Sequence, residues 1–191
     1  MTIISSTPQY LALLRGINVG GKNIIRMADL KACFEANGFG NVATYIQSGN
    51  VLFTAPETDP ASLVGKIEAA LSNTFPAYKA RIMLRSYEKL NQIARNAPQG
   101  FGSQPKEYRY DVLYLREPLT AAEAIEGVPI KPGVDEVSVG PGVLYFSRLI
   151  AKASQSHLTR IVSLPIYQEM TIRNWNTTCK ILALMDARAQ G

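Results

Sequence analysis

"VATYIQSGNVLFTA", residues 42–55, places two apolar-rich runs on either side of Ser48-Gly49. "VATYIQ" and "NVLFTA" are rich in β-branched and aromatic residues, so they read as two short strands joined in a tight hairpin. What flanks this hairpin decides the fold. Upstream, Met27, Leu30, Cys33 and Phe34 recur on one face of a helix over 27–37, and Gly38 follows as its C-terminal stop. Downstream, Asp59 is placed as an N-cap with Pro60 in the first turn of a second helix. Its apolar face is Leu63, Val64, Ile67, Ala70 and Leu71, and Pro76 ends it. Outside the helices lie a strand at 10–15 and another in "KARIMLR", residues 79–85, after which Ser86 caps a helix through Arg95. The order is strand, helix, hairpin, helix, strand, with one extra helix.

"APQGFGSQPKE", residues 97–107, is rich in Gly and Pro and reads as a linker. After it the same order returns. "YRYDVLYL" is a strand, and Thr120-Ala121-Ala122-Glu123 is a capping box opening a short helix. "DEVSV" and "VLYFS" form a hairpin around Gly140-Pro141-Gly142. Residues 156–164 read as helix, "MTIRN" as a short strand and 176–188 as a last helix. A βαββαβ unit folds as a ferredoxin-like antiparallel sheet with helices on one face. The expectation is therefore an α+β protein of two such units, residues 8–96 and 107–188, joined by 97–106. Chain direction adds a consequence: the loop after the first strand and the 47–50 turn lie at the same end of the first sheet.

The chain has 191 residues, 47% hydrophobic and 18% charged, enough for a proper core. Its longest apolar runs, such as "YLALL" and "ILALM", fall far short of the roughly 20 residues of a membrane span. "MTIISSTPQ" has no positive charge ahead of an apolar core, so it does not read as a secretory signal. Cys33 and Cys179 make no disulfide framework and read as buried thiols, in keeping with the cytoplasm. The net charge of +5 favours the approach of anions without selecting nucleic acid over nucleotide.

"RGINVGGKN", residues 15–23, is the first candidate site. Gly16 to Asn23 fits G-x-x-x-x-G-K-N, one residue from the P-loop pattern, whose last position is Ser or Thr because a hydroxyl ligates magnesium. Asn23 supplies an amide instead, "NIIR" delays the helix, and no later strand ends in a Walker B acid. These features argue against a P-loop NTPase, and no G-x-G-x-x-G is present. Two readings stay open. Glycines can aim successive backbone N–H groups into one anion-binding concavity, flanked by Arg15, Lys22 and Arg26 and supplied with amides by Asn18 and Asn23. Gln47, Ser48 and Asn50 would join it from the hairpin. Alternatively, Gly16, Gly20 and Gly21 serve only a left-handed turn and the asparagines bond locally.

His157 is the only histidine, so no metal site is expected, and no nucleophile has an evident base partner. Tyr108, Tyr110 and Tyr114 share a strand face, as stacking platforms do, but "GVLYFS" lacks the RNA-binding pattern, which favours packing. "TIRNWNTTCK" gathers Arg173, Asn174, Asn176 and Lys180 around Trp175 at a strand–helix junction, where polar groups either cap the helix or bind an anion.

"LLRGINVGGKN", "YIQSGNVLF" and "TIRNWNT" together resemble the bacterial domain-of-unknown-function family 1697, over about residues 9 to 186. The resemblance implies two ferredoxin-like halves. It also implies that Arg15, Gly16, Asn18, Gly20, Gly21, Lys22, Asn23, Gln47, Ser48, Gly49, Asn50, Arg173, Asn174 and Thr177 matter. The family often has Ser-Lys where this chain has Ser156-His157, which puts an anion contact from that lysine in doubt. The family has no assigned reaction, so the resemblance leaves function open, and no cofactor is expected. Three functions stay open: binding of a phosphorylated small molecule or nucleic-acid backbone, catalysis on a small anionic substrate, and an interaction module forming a homodimer. No membrane partner is expected.

Overall fold

The computed structural model describes residues 7–189; residues 1–6 of the N-terminal stretch lie outside the described residues. Strands β1 (Gln9–Leu14), β2 (Gly40–Tyr45), β3 (Asn50–Thr54) and β4 (Ile82–Ser86) form one antiparallel sheet in the order β2-β3-β1-β4. Helices α1 (Met27–Ala36) and α2 (Pro60–Thr74) connect them, and α3 (Tyr87–Arg95) follows. A second antiparallel sheet contains β5 (Tyr108–Leu115), β6 (Asp135–Gly140), β7 (Val143–Leu149) and β8 (Met170–Asn174), in the order β6-β7-β5-β8. Helix α4 (Ala121–Glu126) lies between β5 and β6, and α5 (Trp175–Ala189) ends the chain. The protein is α+β. Its described residues divide into two compact units: 7–88 with 183–189, and 89–182.

The first unit follows from its local signals. Asp59 accepts a hydrogen bond from the Ser62 N–H at 2.8 Å and caps α2, with Pro60 in the first turn, where its missing N–H costs nothing. Tyr10, Ala12 and Leu14 face the helices and pack with Phe34, Phe53, Leu63 and Ile67. The alternate residues Leu11, Leu13, Leu52 and Met83 are buried as well, so the expected sheet, with helices against one face only, is too simple. The last turns of α5 meet this unit: Gln9 donates to the Met185 carbonyl at 3.3 Å and Tyr87 to Asp186 at 2.6 Å. "YLALL" carries no polar–apolar alternation, which is the pattern of a strand buried on both faces.

In the second unit, Thr120 and Glu123 close the reciprocal capping box at the start of α4. Leu113, Leu115, Leu144, Phe146, Ile161 and Met170 form the core on one face. On the other, Tyr110 and Tyr114 are buried, and the Tyr114 hydroxyl meets Thr178 Oγ1 at 3.0 Å. Two of the three tyrosines of the stripe pack, while Tyr108 is half-buried.

Three expectations need correction. The single helix over 156–164 is instead a set of 3-10 turns at Ile150–Gln155, Leu158–Ser163 and Pro165–Glu169. Pro165 and the neighbouring serines and threonine supply poor helix interiors, which favours short 3-10 pieces. The hairpin after β2 is not a two-residue turn: residues 46–49 are all in the turn, and Ile46 leaves the strand with φ +50°. Cys33 is buried, but Cys179 is exposed, because Thr178, Ile181 and Met185 hold the inner face of α5.

Candidate functional site

Two places gather the expected residues, one in each unit. The first is the end of the sheet where β1 leaves for α1. Residues 18–23 form a miniature hairpin, not an open cradle. The Asn18 N–H donates to the Asn23 carbonyl at 3.1 Å and the Lys22 N–H to the Val19 carbonyl at 3.0 Å. Gly20 and Gly21 sit at φ +57° and +73°, the left-handed pair that a two-residue type I′ turn requires. Asn18 ties the finger down. Its Oδ1 accepts the Ile25 N–H at 2.9 Å, and its Nδ2 donates to the Ile25 carbonyl at 3.0 Å and the Gln47 carbonyl at 2.9 Å. Asn23 Nδ2 donates to the Gly16 carbonyl at 2.9 Å.

The 46–49 turn is held in the same way. Buried Asn50 donates to the Tyr45 carbonyl at 2.9 Å and to Ser48 Oγ at 3.0 Å, and the Leu14 N–H donates to the Gly49 carbonyl at 2.8 Å. A Cβ on Gly49 would stand 2.7 Å from Ile17 Cδ1 and 2.8 Å from Leu14 Cβ, so that position excludes a side chain. The finger and the turn thus touch through Asn18 and Gly49. Most of their polar groups are spent on one another. Lys22 and Gln47 remain exposed, Arg15 is half-buried, and Arg26 makes a bidentate pair with Asp29 at 2.7 and 3.0 Å.

The second place is a cavity of about 480 Å³ in the second unit. The β5–β8 ladder stops at Asp111 opposite Asn174, so residues 108–110 of β5 have no strand on that side. The cavity fills this notch. Arg109, Arg148, Tyr108, Asn174, Trp175 and Asn176 are among its walls. Arg109 and Arg148 are directly opposite in the β5–β7 register, a like-charge pair that costs stability unless something compensates it. Buried Asp111 offsets part of this on the Arg109 side, where Nε donates to Oδ1 at 3.5 Å and stands 3.4 Å from Oδ2. Asp135, in register with Arg148, spends Oδ2 on the N–H groups of Lys131 and His157. Its Oδ1 and the Nε of Arg148 are both buried and make no hydrogen bond among the described residues.

The motif around Trp175 divides in two. Arg173 is buried and its Nη1 is held by Thr171 Oγ1 at 2.8 Å and the Ile172 carbonyl at 2.9 Å; it does not line the cavity. Asn174 does, and it organises the junction: Nδ2 donates to the Tyr110 carbonyl at 2.9 Å, and Oδ1 accepts the Asn176 N–H at 3.0 Å as an N-cap. The indole of Trp175 packs edge-on against Phe101, 5.2 Å between centroids. Sequence reasoning missed Arg109 and Arg148. Their signal was the strand pairing: "YRYDVLYL" and "VLYFSRL" pair so that both arginines meet at the edge of the sheet.

A second cavity of about 480 Å³ lies on the tyrosine face, and Glu136 is its only charged wall residue. No group of three or more metal-ligating side chains exists among the described residues. No described helix is long and apolar enough to cross a membrane.

A family model described as "Protein of unknown function (DUF1697)" matches residues 8–145. Among solved structures, the chain is similar to a conserved bacterial protein from Streptococcus pneumoniae. The two are 29% identical with a TM-score of 0.82, and the match covers 93% of this chain and 98% of the other. No curated protein matches the chain.

Proposed function

We propose, from the premise that the chain belongs to the DUF1697 family of proteins of unknown function, that it binds a small phosphorylated ligand of the mononucleotide kind in the cavity beside Arg109 and Arg148. The observation that carries this reading is the buried, unpartnered Nε of Arg148 next to a second arginine in register. A phosphoryl group would offset the repulsion between the two guanidinium groups, which pair with phosphate through charge-assisted, bidentate hydrogen bonds. The cavity is the size of a small-molecule site. Its aromatic walls, Tyr108 and Trp175, offer a planar ring a place to stack. A nucleic-acid backbone would call for cations in a row along an open face, and here they converge in one notch. In the same reading each unit is ferredoxin-like, over 8–96 and 107–188, supported by the repeated element order and the matching strand orders.

Calorimetric titration with inorganic phosphate and the common nucleoside monophosphates tests the proposal. At least one should bind, and Arg148→Ala and Arg109→Ala should each weaken it about tenfold or more, whereas Lys106→Ala should not. Absence of binding, or binding indifferent to Arg148→Ala, would overturn it.

A further inference from the structure

We propose that the end of the first sheet formed by the 18–24 finger and the 46–49 turn docks an acidic, amphipathic segment of a protein partner. The inference is independent of the ligand proposed for the second unit and shares no residue with it.

Three aliphatic side chains are strongly exposed at this end: Val19 at 65%, Ile24 at 75% and Ile46 at 49%. Single exposed aliphatics are ordinary; these three are held together. The Asn18 carboxamide is bonded to the backbone of Ile25 and Gln47. Val19, Ile24 and Ile46 each stand one residue, about 3.8 Å, from one of those three tied points. One amide therefore holds the three backbone positions together at this end of the sheet. Ile46 also sits in left-handed backbone at φ +50°, which a β-branched residue rarely adopts, and with 49% of it exposed the strain is little repaid by burial. A glycine or asparagine would serve the turn better. An isoleucine there is explained by contact with something outside the chain.

Charge selects the occupant. Arg15, Lys22 and Arg26 belong to this end, and the Arg15 N–H donates to the Arg81 carbonyl at 3.0 Å, which adds Arg81. Against them stand Asp29, which pairs with Arg26, and Glu68, whose Oε1 accepts the Ile82 N–H. An excess of positive charge around an aliphatic patch fits a segment carrying both carboxylates and apolar side chains. Two copies of this chain meeting here would oppose their positive ends. Single-stranded nucleic acid would call for stacking rings, and the strongly exposed apolar groups here are aliphatic.

The test is a random peptide library displayed on phage, selected on the wild-type protein and counter-selected on Val19→Ser/Ile24→Ser. Both positions are exposed, and melting curves verify that the variant folds. The expected result is enrichment of peptides that combine Asp or Glu with Leu, Ile or Phe. Their synthetic versions should bind at least about tenfold more weakly to the double variant and bind normally to Val162→Ser, an exposed aliphatic of the other unit. Enrichment of basic or uncharged peptides, or no peptide that distinguishes the variant, would overturn the proposal. So would a concentration-dependent dimer in sedimentation that Ile24→Ser abolishes.

Discussion

The finger end of the first unit and the notch of the second both gather arginine and asparagine side chains. They differ in what the fold leaves over. At the finger, Asn18, Asn23 and Asn50 are bonded to backbone carbonyls, and the glycines make a type I′ turn and a close approach. At the notch, two arginines face each other and one buried donor is unanswered. Residue type nominates a site, but a polar group left without its partner is what distinguishes one from a well-made turn.

Stability and binding should therefore separate between the two places. The largest expected effect is Asn18→Ala. Three hydrogen bonds at about 1 kcal/mol each, with left-handed backbone at φ +53° that asparagine tolerates and alanine does not, predict a loss of roughly 3–4 kcal/mol in denaturant unfolding. Ligand binding by the folded variant should be unchanged; a change there would break the contrast. Next, Arg148→Ala should weaken phosphate or nucleotide binding about tenfold, near 1.4 kcal/mol. It should cost little stability, because it removes an open buried donor and a like-charge neighbour. A collapse in melting temperature would mark the pair as structural.

A smaller, pH-dependent effect concerns a satisfied group in the second unit. Burial, with Tyr114 beside it, pushes the Tyr145 hydroxyl up to about 12, and that hydroxyl donates to the Ile93 carbonyl at 2.6 Å. In the unfolded chain it ionises near 10. Its contribution is complete below pH 10 and is lost as pH rises from about 10 towards 12, so unfolding curves in that window should steepen against pH. Tyr145→Phe should flatten them. The smallest effect is Lys22→Ala: the side chain is exposed at the tip of the finger, so a stability change within about 0.5 kcal/mol is expected. Nucleotide affinity should not move. A tenfold loss on titration would return the ligand to the finger.

The sequence made the element order readable because the signals are local. Asp59-Pro60, the Thr120–Glu123 box and the heptad-like face of α2 each depend on neighbours within a turn or two. What it hid depends on distant partners. The pairing of Arg109 with Arg148 needs the register of two strands separated by a helix and a third strand. The use of Asn18 as a clamp needs the turn 29 residues away. Ile46 looked like strand because β-branched residues favour strands, and tertiary context overrode that preference. The two-sided burial of β1 was missed, although the unbroken apolar run of "YLALL" is the pattern of such a strand.

Trp175 is the chain's one tryptophan, and it forms part of the wall of the notch. All indole emission therefore comes from that wall, and occupation of the cavity should be visible as quenching or a spectral shift without any label. The ring is also wedged against Gly102, where a Cβ would stand 2.5 Å from the indole, on a backbone at φ +87°. An alanine at that position would tilt the chromophore, so the colour of the protein's own fluorescence would register a change in a linker residue and the arrival of a ligand through the same ring.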